Sequence, residues 1–173
     1  MNQMVSLAEI LTAREQRAKR QKRLAAAFPD TTILSITVNM AGSVKYTETV
    51  NRVFECGCLA LVNALQISRI PVMHIEKIKQ ETGCEALIVV DSNSLRVKTI
   101  ACELEEGLRY GRLLDIDVID EKRLPVRREL AGFSVRGCMV CGRQGAICAS
   151  RRLHPVQEIV DVFERIAGCC QEE

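Results

Sequence analysis

Two aspartates, Asp115 and Asp117, stand two positions apart in an otherwise apolar run that follows Arg112. On a β-strand, residues i and i+2 point to the same face, so these two carboxylates would lie side by side. Like charges at that spacing are unfavourable unless a cation joins them. Mg²⁺ takes one or two carboxylates together with substrate phosphates, so the pair predicts a site for magnesium and phosphate. Glu103 and Glu105 could add a third carboxylate, and the simpler alternative is a solvent-facing pair without function.

A second candidate site lies near the end of the chain, in the pattern Cys138-x2-Cys141-x6-Cys148-x5-His154. Three thiolates and one imidazole could complete a tetrahedral Zn²⁺ site. The alternative is a set of reduced structural thiols, with His154 at the start of the last helix. The chain has nine cysteines. We expect the others to pack in the core: Cys56, Cys58, Cys84, Cys102, Cys169 and Cys170.

Charge is unevenly distributed along the 173 residues, although 24 Lys and Arg nearly balance 22 Asp and Glu. Residues 14–23 carry six basic side chains and one acid, and residues 122–152 carry eight basic side chains and one acid. Between them, residues 74–121 carry 11 acids and six bases. Arginine binds phosphate oxygens in a fork geometry. Because base stacking needs aromatic side chains, and these are scarce here, the basic segments favour a small polyphosphate over nucleic acid.

The elements that must position these residues follow from caps and hydrophobic periodicity. Capping boxes at Ser6 and Thr12 predict two helices, over 7–11 and 13–27. Further helices are predicted over about 50–65, 94–106 and from 155, and strands over 32–39, 70–78, 86–90 and 113–119. The central order is β-α-β-β-α-β, which is typical of an α+β ferredoxin-like sandwich.

We therefore expect a single domain over 1–173. It comprises N-terminal helices in 1–28, an α/β core in 32–119, and a Cys- and Arg-rich tail with a final helix in 120–173. The apolar runs are far shorter than the roughly 20 residues of a membrane span. Without a secretion signal, a cytoplasmic protein with reduced thiols is expected, and no membrane partner.

Three ordered motifs occupy the second half of the chain. They are Gly111-Arg112-Leu-x-Asp115-x-Asp117-Val118, then Arg136-x-Cys138-x-x-Cys141, then Cys148-Ala149-x-x-Arg152-x-His154. Together they resemble the citrate lyase holo-acyl-carrier-protein synthase family, whose members are phosphoribosyl-dephospho-CoA transferases. The resemblance extends to the basic segment near Arg14 and to the turn before Lys45.

The resemblance implies an enzyme that uses 2′-(5″-triphosphoribosyl)-3′-dephospho-CoA as donor. Its acceptor would be a serine of the apo acyl carrier subunit of citrate lyase, and pyrophosphate would leave. For such a reaction we expect Asp115 and Asp117 to hold Mg²⁺ beside Arg112. Glu103 or Glu105 would support the metal or accept the serine proton. Side chains that would bind the donor are Arg14, Arg17, Lys45, Arg136 and Arg152.

Three segments depart from the family pattern. Two of them are Gly42-Ser43, where the family has Gly-Pro, and Ser134-Val135-Arg136, where it has Pro-Pro-Arg. Where the family usually has His-Pro-Leu before Gly-Arg, this chain has Leu108-Arg109-Tyr110. This last departure keeps a second hypothesis open, namely a non-catalytic module that binds carrier protein or nucleic acid through a zinc-stapled basic tail. The intact pair of Asp115 and Asp117 favours the enzyme.

Overall fold

The centre of the molecule is a four-stranded antiparallel sheet with the strand order β2-β3-β1-β4. In the computed structural model, which describes residues 3–171, its strands are β1 (Thr32–Val38), β2 (Val72–Gln80), β3 (Gly83–Val90) and β4 (Leu114–Ile119). The helices are α1 (Leu7–Ala27), α2 (Glu48–Ile67), α3 (Ser94–Gly107), α4 (Gly145–Ser150) and α5 (Val156–Ala167). The order and pairing confirm the predicted α+β, ferredoxin-like arrangement. The single-domain prediction includes residues 1, 2, 172 and 173, which lie outside the described part of the chain.

Helix α1 is one continuous helix, and the prediction of two helices over 7–11 and 13–27 was wrong. Its start is the predicted capping box: the Ser6 amide donates to Glu9 Oε2 over 2.8 Å, and the Glu9 amide donates to Ser6 Oγ over 3.3 Å. Thr12 has the same spacing to Glu15, but the chain before it is already helical. A capping pattern starts a helix only where the preceding residue leaves helical geometry.

The two faces of the sheet differ in what covers them. Alternate residues of each strand point to opposite faces. One face carries Leu34 and Ile36 of β1 and Ile116 of β4, and these pack into the main core with Phe54 of α2 and Phe163 of α5. On this side the strand residues are almost completely buried. This face therefore supplies the main hydrophobic stabilisation of the fold.

The opposite face is covered only in part, by α1. Leu24 of α1 packs on Ile33, Leu87 and Val89 in a small second cluster. Further along the same strands the side chains become polar. We call this polar region the carboxylate face, and it is formed by Ser35, Thr37, Glu85, Asp115 and Asp117.

The tail after β4 has more structure than its sequence pattern indicates. Val126 donates its amide to Val118 O over 2.8 Å, which holds the start of the tail beside β4. Short 3₁₀ turns form at Arg128–Ala131 and Gly168–Gln171, and α4 forms within the Cys-rich segment. These pieces are too short for helical periodicity to reveal. Across the described residues, no helix is both long enough and apolar enough to cross a bilayer.

Candidate functional site

Asp115 and Asp117 lie side by side on the exposed side of β4, as their spacing predicts. Thr37 of β1 stands opposite Asp115, and Ser35 stands opposite Asp117. The pKa of Asp117 is raised, first because solvent is partly excluded from its carboxylate and second because the charge of Asp115 is close. The pair therefore attracts a cation.

Helix α1 brings arginines over this face. Arg17 donates from Nε to Glu85 Oε2 over 2.6 Å, and Arg20 pairs with the other oxygen of Glu85. Burial lowers the pKa of the Arg17 guanidinium, while Asp117 and Asp115 favour its charged form. Sequence reasoning missed Glu85, although an acid within the buried β3 run is a visible signal, because buried charges need partners.

A cavity of about 210 Å³ lies between α1, the turn after β1 and the start of β3. Arg14, Arg17, Lys45 and Asn39 line it, and Asp115 stands at its edge. Burial, and then the charge of Arg14, lower the pKa of Lys45, whose Nζ donates to Met40 O. Three predicted phosphate-binding residues therefore share one small polar cavity with one carboxylate of the pair.

The free edge of β4 is held by Arg136 from the tail. Its Nη2 donates to Leu114 O over 2.8 Å and to Arg112 O over 3.1 Å. Its Nη1 lies 3.3 Å from Asp115 Oδ1 and 3.5 Å from Glu105 Oε1. Arg136 thus joins the tail, the strand edge and the carboxylate pair.

Glu105 lies beneath the strand edge rather than on the open face. Only 3% of the residue is exposed, and the Ile116 amide donates to its Oε1 over 2.9 Å. Burial raises its pKa, which Arg136 and then the Ile116 amide oppose. Two further cations lie here. Arg128, one of the basic residues of the tail, is 3.4 Å from Glu105 Oε2. Lys98, which sequence reasoning missed, donates to Ile116 O over 2.9 Å. Glu103, by contrast, is exposed on α3.

A larger cavity of about 610 Å³ lies between Arg112 and the Cys-rich tail. Its walls include apolar side chains such as Met139 and Ile159 together with Arg112, Arg152 and Asp115. A third cavity, of about 400 Å³, is lined by Lys98, Arg128 and both aspartates. Asp115 therefore stands where all three cavities meet.

The predicted zinc ligands converge in space. The ligand atoms of Cys138, Cys141, Cys148 and His154, here called the cysteine cluster, all lie within 4.8 Å of one another. Burial opposes ionisation of Cys138, but bonds from the amides of Cys141 and Val140 and from the neighbouring thiols lower its pKa to about 7. The ionised thiolate is the form of cysteine that binds metal. A set of three cysteines and one histidine that includes a readily ionised thiol is therefore compatible with Zn²⁺.

Comparison with known proteins identifies the family of this chain. The family model described as apo-citrate lyase phosphoribosyl-dephospho-CoA transferase matches residues 5–169. The chain belongs to this family. A probable enzyme of that description from Streptococcus pyogenes serotype M3 is 32% identical over 167 residues, covering 94% of this chain and 85% of the relative.

Two further family relatives come from other bacteria. A probable transferase of the same description from Vibrio cholerae is 29% identical over 170 residues, covering 96% of this chain and 95% of the relative. Protein CitXG from Haemophilus influenzae is 34% identical over 166 residues. That match covers 94% of this chain but 35% of CitXG, so the region similar to this chain is one part of a longer protein.

The departure from the family pattern before Gly111 lies next to the site but packs inward. Leu108 packs against the main core, and Tyr110 is a buried member of it. Gly111 follows, where a Cβ would come within 2.4 Å of Leu104 O, so only glycine fits this turn. The substituted segment therefore supports the turn into β4 through apolar packing.

Proposed function

We propose that this chain transfers the phosphoribosyl-dephospho-CoA group from a triphosphoribosyl-dephospho-CoA donor to a serine of the apo acyl carrier subunit of citrate lyase. Family membership and the names of the relatives support this reaction. The observation that carries it is the position of Asp115 and Asp117, with Arg17 on one side and Arg136 on the other. A centre that combines carboxylates and arginines suits a polyphosphate substrate.

In the proposed step, the serine oxygen attacks the α-phosphorus of the donor's triphosphate. The new bond is a phosphodiester, and the bond from that phosphorus to the bridging oxygen of pyrophosphate breaks. The serine proton leaves to water beside the carboxylate pair. Such transfer needs positioning and charge neutralisation more than it needs a protein nucleophile.

The cavities divide the donor between them in this proposal. The triphosphate would occupy the small polar cavity, where Arg14, Arg17 and Lys45 can bind its oxygens. The dephospho-CoA part would extend into the larger cavity, whose apolar walls and Arg152 suit a nucleotide with a long organic arm. Because Asp115 borders both cavities, the reacting phosphorus would lie beside the carboxylate pair.

Asp115 and Asp117 would hold Mg²⁺. The donor set fits that ion, because Mg²⁺ prefers oxygen ligands and commonly binds one or two carboxylates plus phosphates. Burial, and then the charge of Asp115, raise the pKa of Asp117, and a bound cation would favour its ionised form. When bound, Mg²⁺ would supply charge neutralisation on the triphosphate.

Glu105 acts in this proposal as a positioning residue. It accepts the Ile116 amide and contacts Arg136, so it fixes both the edge of β4 and the guanidinium that lies beside Asp115. Arg112 and Arg136 would then stabilise charge on the donor. The predicted catalytic set is thereby divided between residues that touch the donor and a residue that holds them in place.

The second hypothesis, a non-catalytic module that binds carrier protein or nucleic acid, rests on one observation. The position at which the family usually has histidine holds Leu108, which packs in the core and carries no proton-transfer group. A binding module of this kind would recognise the carrier subunit and leave its mass unchanged.

The deciding experiment incubates the full chain with apo carrier subunit, donor and Mg²⁺, and follows the intact mass of the carrier. The carrier should gain the mass of one phosphoribosyl-dephospho-CoA group, and pyrophosphate should appear in equal amount. A carrier whose acceptor serine is replaced by alanine is the matched control and should stay unmodified. Binding of the carrier without any mass gain would overturn the enzyme and favour the binding module. In the cell this reaction would take place in the cytoplasm.

A further inference from the structure

The cysteine cluster has the size of a metal centre. Cys141 Sγ and Cys148 Sγ are 3.6 Å apart, and all four ligand atoms lie within 4.8 Å of one another. Zinc–sulfur bonds of about 2.3 Å in a tetrahedron put two sulfurs about 3.8 Å apart. The thiols are free, since no disulfide joins any of them in the described residues.

Cys138 and Cys141 lie in a tight loop whose backbone N–H groups point toward the Cys138 sulfur. The amides of Val140 and Cys141 donate to the Cys138 thiol, and the Gly142 amide donates to Cys138 O over 2.9 Å. Gly142 has a φ of +74°, which a residue with a side chain rarely adopts. At Gly137 a Cβ would come within 2.8 Å of Gly142 O. Amides directed at a thiolate stabilise the form that binds metal.

The fourth ligand is oriented by a carboxylate. His154 is mostly buried, and its Nε2 is a buried nitrogen for which the described residues offer no hydrogen-bond partner. Its other nitrogen, Nδ1, lies 3.4 Å from Glu158 Oε2 in the first turn of α5. Histidines that bind metal through one nitrogen commonly give the other to a carboxylate, which fixes the ring and its tautomer.

We propose that Cys138, Cys141, Cys148 and His154 bind one structural Zn²⁺, and that this ion holds the arginines of the tail at the carboxylate face. The ligand set is closed, with four protein atoms and no open position, as in structural rather than catalytic zinc sites. Three thiolates and Zn²⁺ leave one negative charge, which Arg112 and Arg152 in the shared cavity wall balance.

The link from the cluster to the carboxylates is short. Arg112 donates from Nη2 to Gly137 O, next to the first ligand. Arg136 precedes Gly137, and its carbonyl accepts the Gly145 amide over 2.9 Å, which closes the loop. Fixing Cys138 therefore fixes Arg136, which contacts the edge of β4, and the Gly137 carbonyl to which Arg112 donates. The consequence for transfer rests on the proposed function, but zinc binding does not.

Metal content tests the site directly. Purified full-length protein, expressed with zinc supplied, should contain about one zinc per chain by elemental analysis and by native mass. Cys141→Ser should lose that zinc, and the matched control Cys169→Ser, which alters a partly buried cysteine outside the cluster, should keep it. Should Cys141→Ser fail to fold, wild-type protein loaded with Co²⁺ should show the absorption of tetrahedral cobalt thiolate.

Two results would overturn the zinc site: wild-type protein without zinc, or equal zinc in Cys141→Ser and Cys169→Ser. A mass lower by two hydrogens in zinc-free protein would assign a disulfide instead, and would also overturn it.

Hydrogen exchange tests the link to the carboxylates. Removing zinc with a chelator should speed exchange at the Cys138 and Gly145 amides and leave β1 and β3 protected. If transfer is observed, removing zinc should raise the KM for the donor, and adding zinc back should restore the original KM. Unchanged exchange would overturn the link. Zinc-loaded protein that binds metal but transfers nothing would overturn the proposed function alone.

Discussion

The carboxylate face and the cysteine cluster take their parts from very different distances along the chain. All four members of the cluster lie between Cys138 and His154. The carboxylate face joins Arg17 of α1, Glu85 of β3 and Asp115 of β4 to Arg136 of the tail. When all residues of a site lie in one short segment, their spacing can be recognised in the sequence. When the residues come from different strands and helices, the sequence does not indicate which of them lie together.

The two regions also differ in how charge is arranged. On the carboxylate face, acids and arginines pair across elements, with Glu105 buried beneath them. In the cysteine cluster, backbone amides and neighbouring thiols act on Cys138. We infer that the first region performs the reaction and the second holds it in place, and the predictions below separate these roles.

Asp117→Asn should give the largest effect. Removing one of the two carboxylates should lower the transfer rate roughly 10²–10³-fold, as loss of one group that stabilises charge in the transition state does. Zinc content should stay that of wild type, because the cluster is separate. The assay is carrier mass gain with time, and Asp91→Asn, an exposed aspartate after β3, is the control. Transfer close to wild type would place the chemistry elsewhere.

Arg136→Gln should affect both transfer and stability, since this side chain contacts Asp115 and also the edge of β4. Transfer should fall roughly 10–100-fold, because Asp115 loses its nearest cation. The free energy of unfolding should fall by about 1–3 kcal/mol, since the carbonyls at the β4 edge and Glu105 lose a donor. Urea unfolding measures the second effect. Arg143→Gln, exposed in the same loop, should change neither quantity.

Arg14→Gln should have a smaller and more selective effect. The KM for the donor should rise about tenfold with little change in kcat, because Arg14 lines the small polar cavity but makes no contact with the carboxylate pair among those described. The increase should shrink at high salt, which screens exposed charges. Lys19→Gln, exposed on the same helix, is the control. Equal KM values for both variants would contradict the proposal that the triphosphate binds in this cavity.

The smallest expected effect is a gain of stability. Because the folded state raises the pKa of Asp117, its ionised form costs stability at neutral pH. Asp117→Asn should therefore unfold at a slightly higher urea concentration than wild type at pH 7. The difference should shrink as pH falls through the raised pKa, where wild-type Asp117 becomes protonated. A variant less stable than wild type at pH 7 would contradict the repulsion between Asp115 and Asp117.

Much of the fold could be predicted because the signals were local. The β-branched residues of β1 and the helical spacing in α2 predicted elements whose order matches the structure. The errors were also local in origin. Thr12 repeats the capping pattern of Ser6. Only the helical structure of the preceding turn shows that no new helix begins at Thr12. The short helix α4 lacks the length at which periodicity becomes visible.

The predicted site residues met the same limit. Asp115 and Asp117 share a face because strand geometry has a period of two, and the zinc ligands converge within one segment. Glu85 and Lys98 were missed because their partners lie on other elements. Arg152, which was predicted to bind the donor, lines the larger cavity together with His154.

The sequence by itself determined the β-α-β-β-α-β order, the paired carboxylates and the ligand set of the cysteine cluster, since all three depend on spacing over a few residues. The tertiary structure decided which face of the sheet stays open. It also decided that Arg17 and Arg136 both lie near the aspartates on that face. It also placed Glu105 in a buried position where it contacts Arg136. The reason is that pairing between distant charges depends on how sheet and helices pack, and packing follows from the whole chain at once.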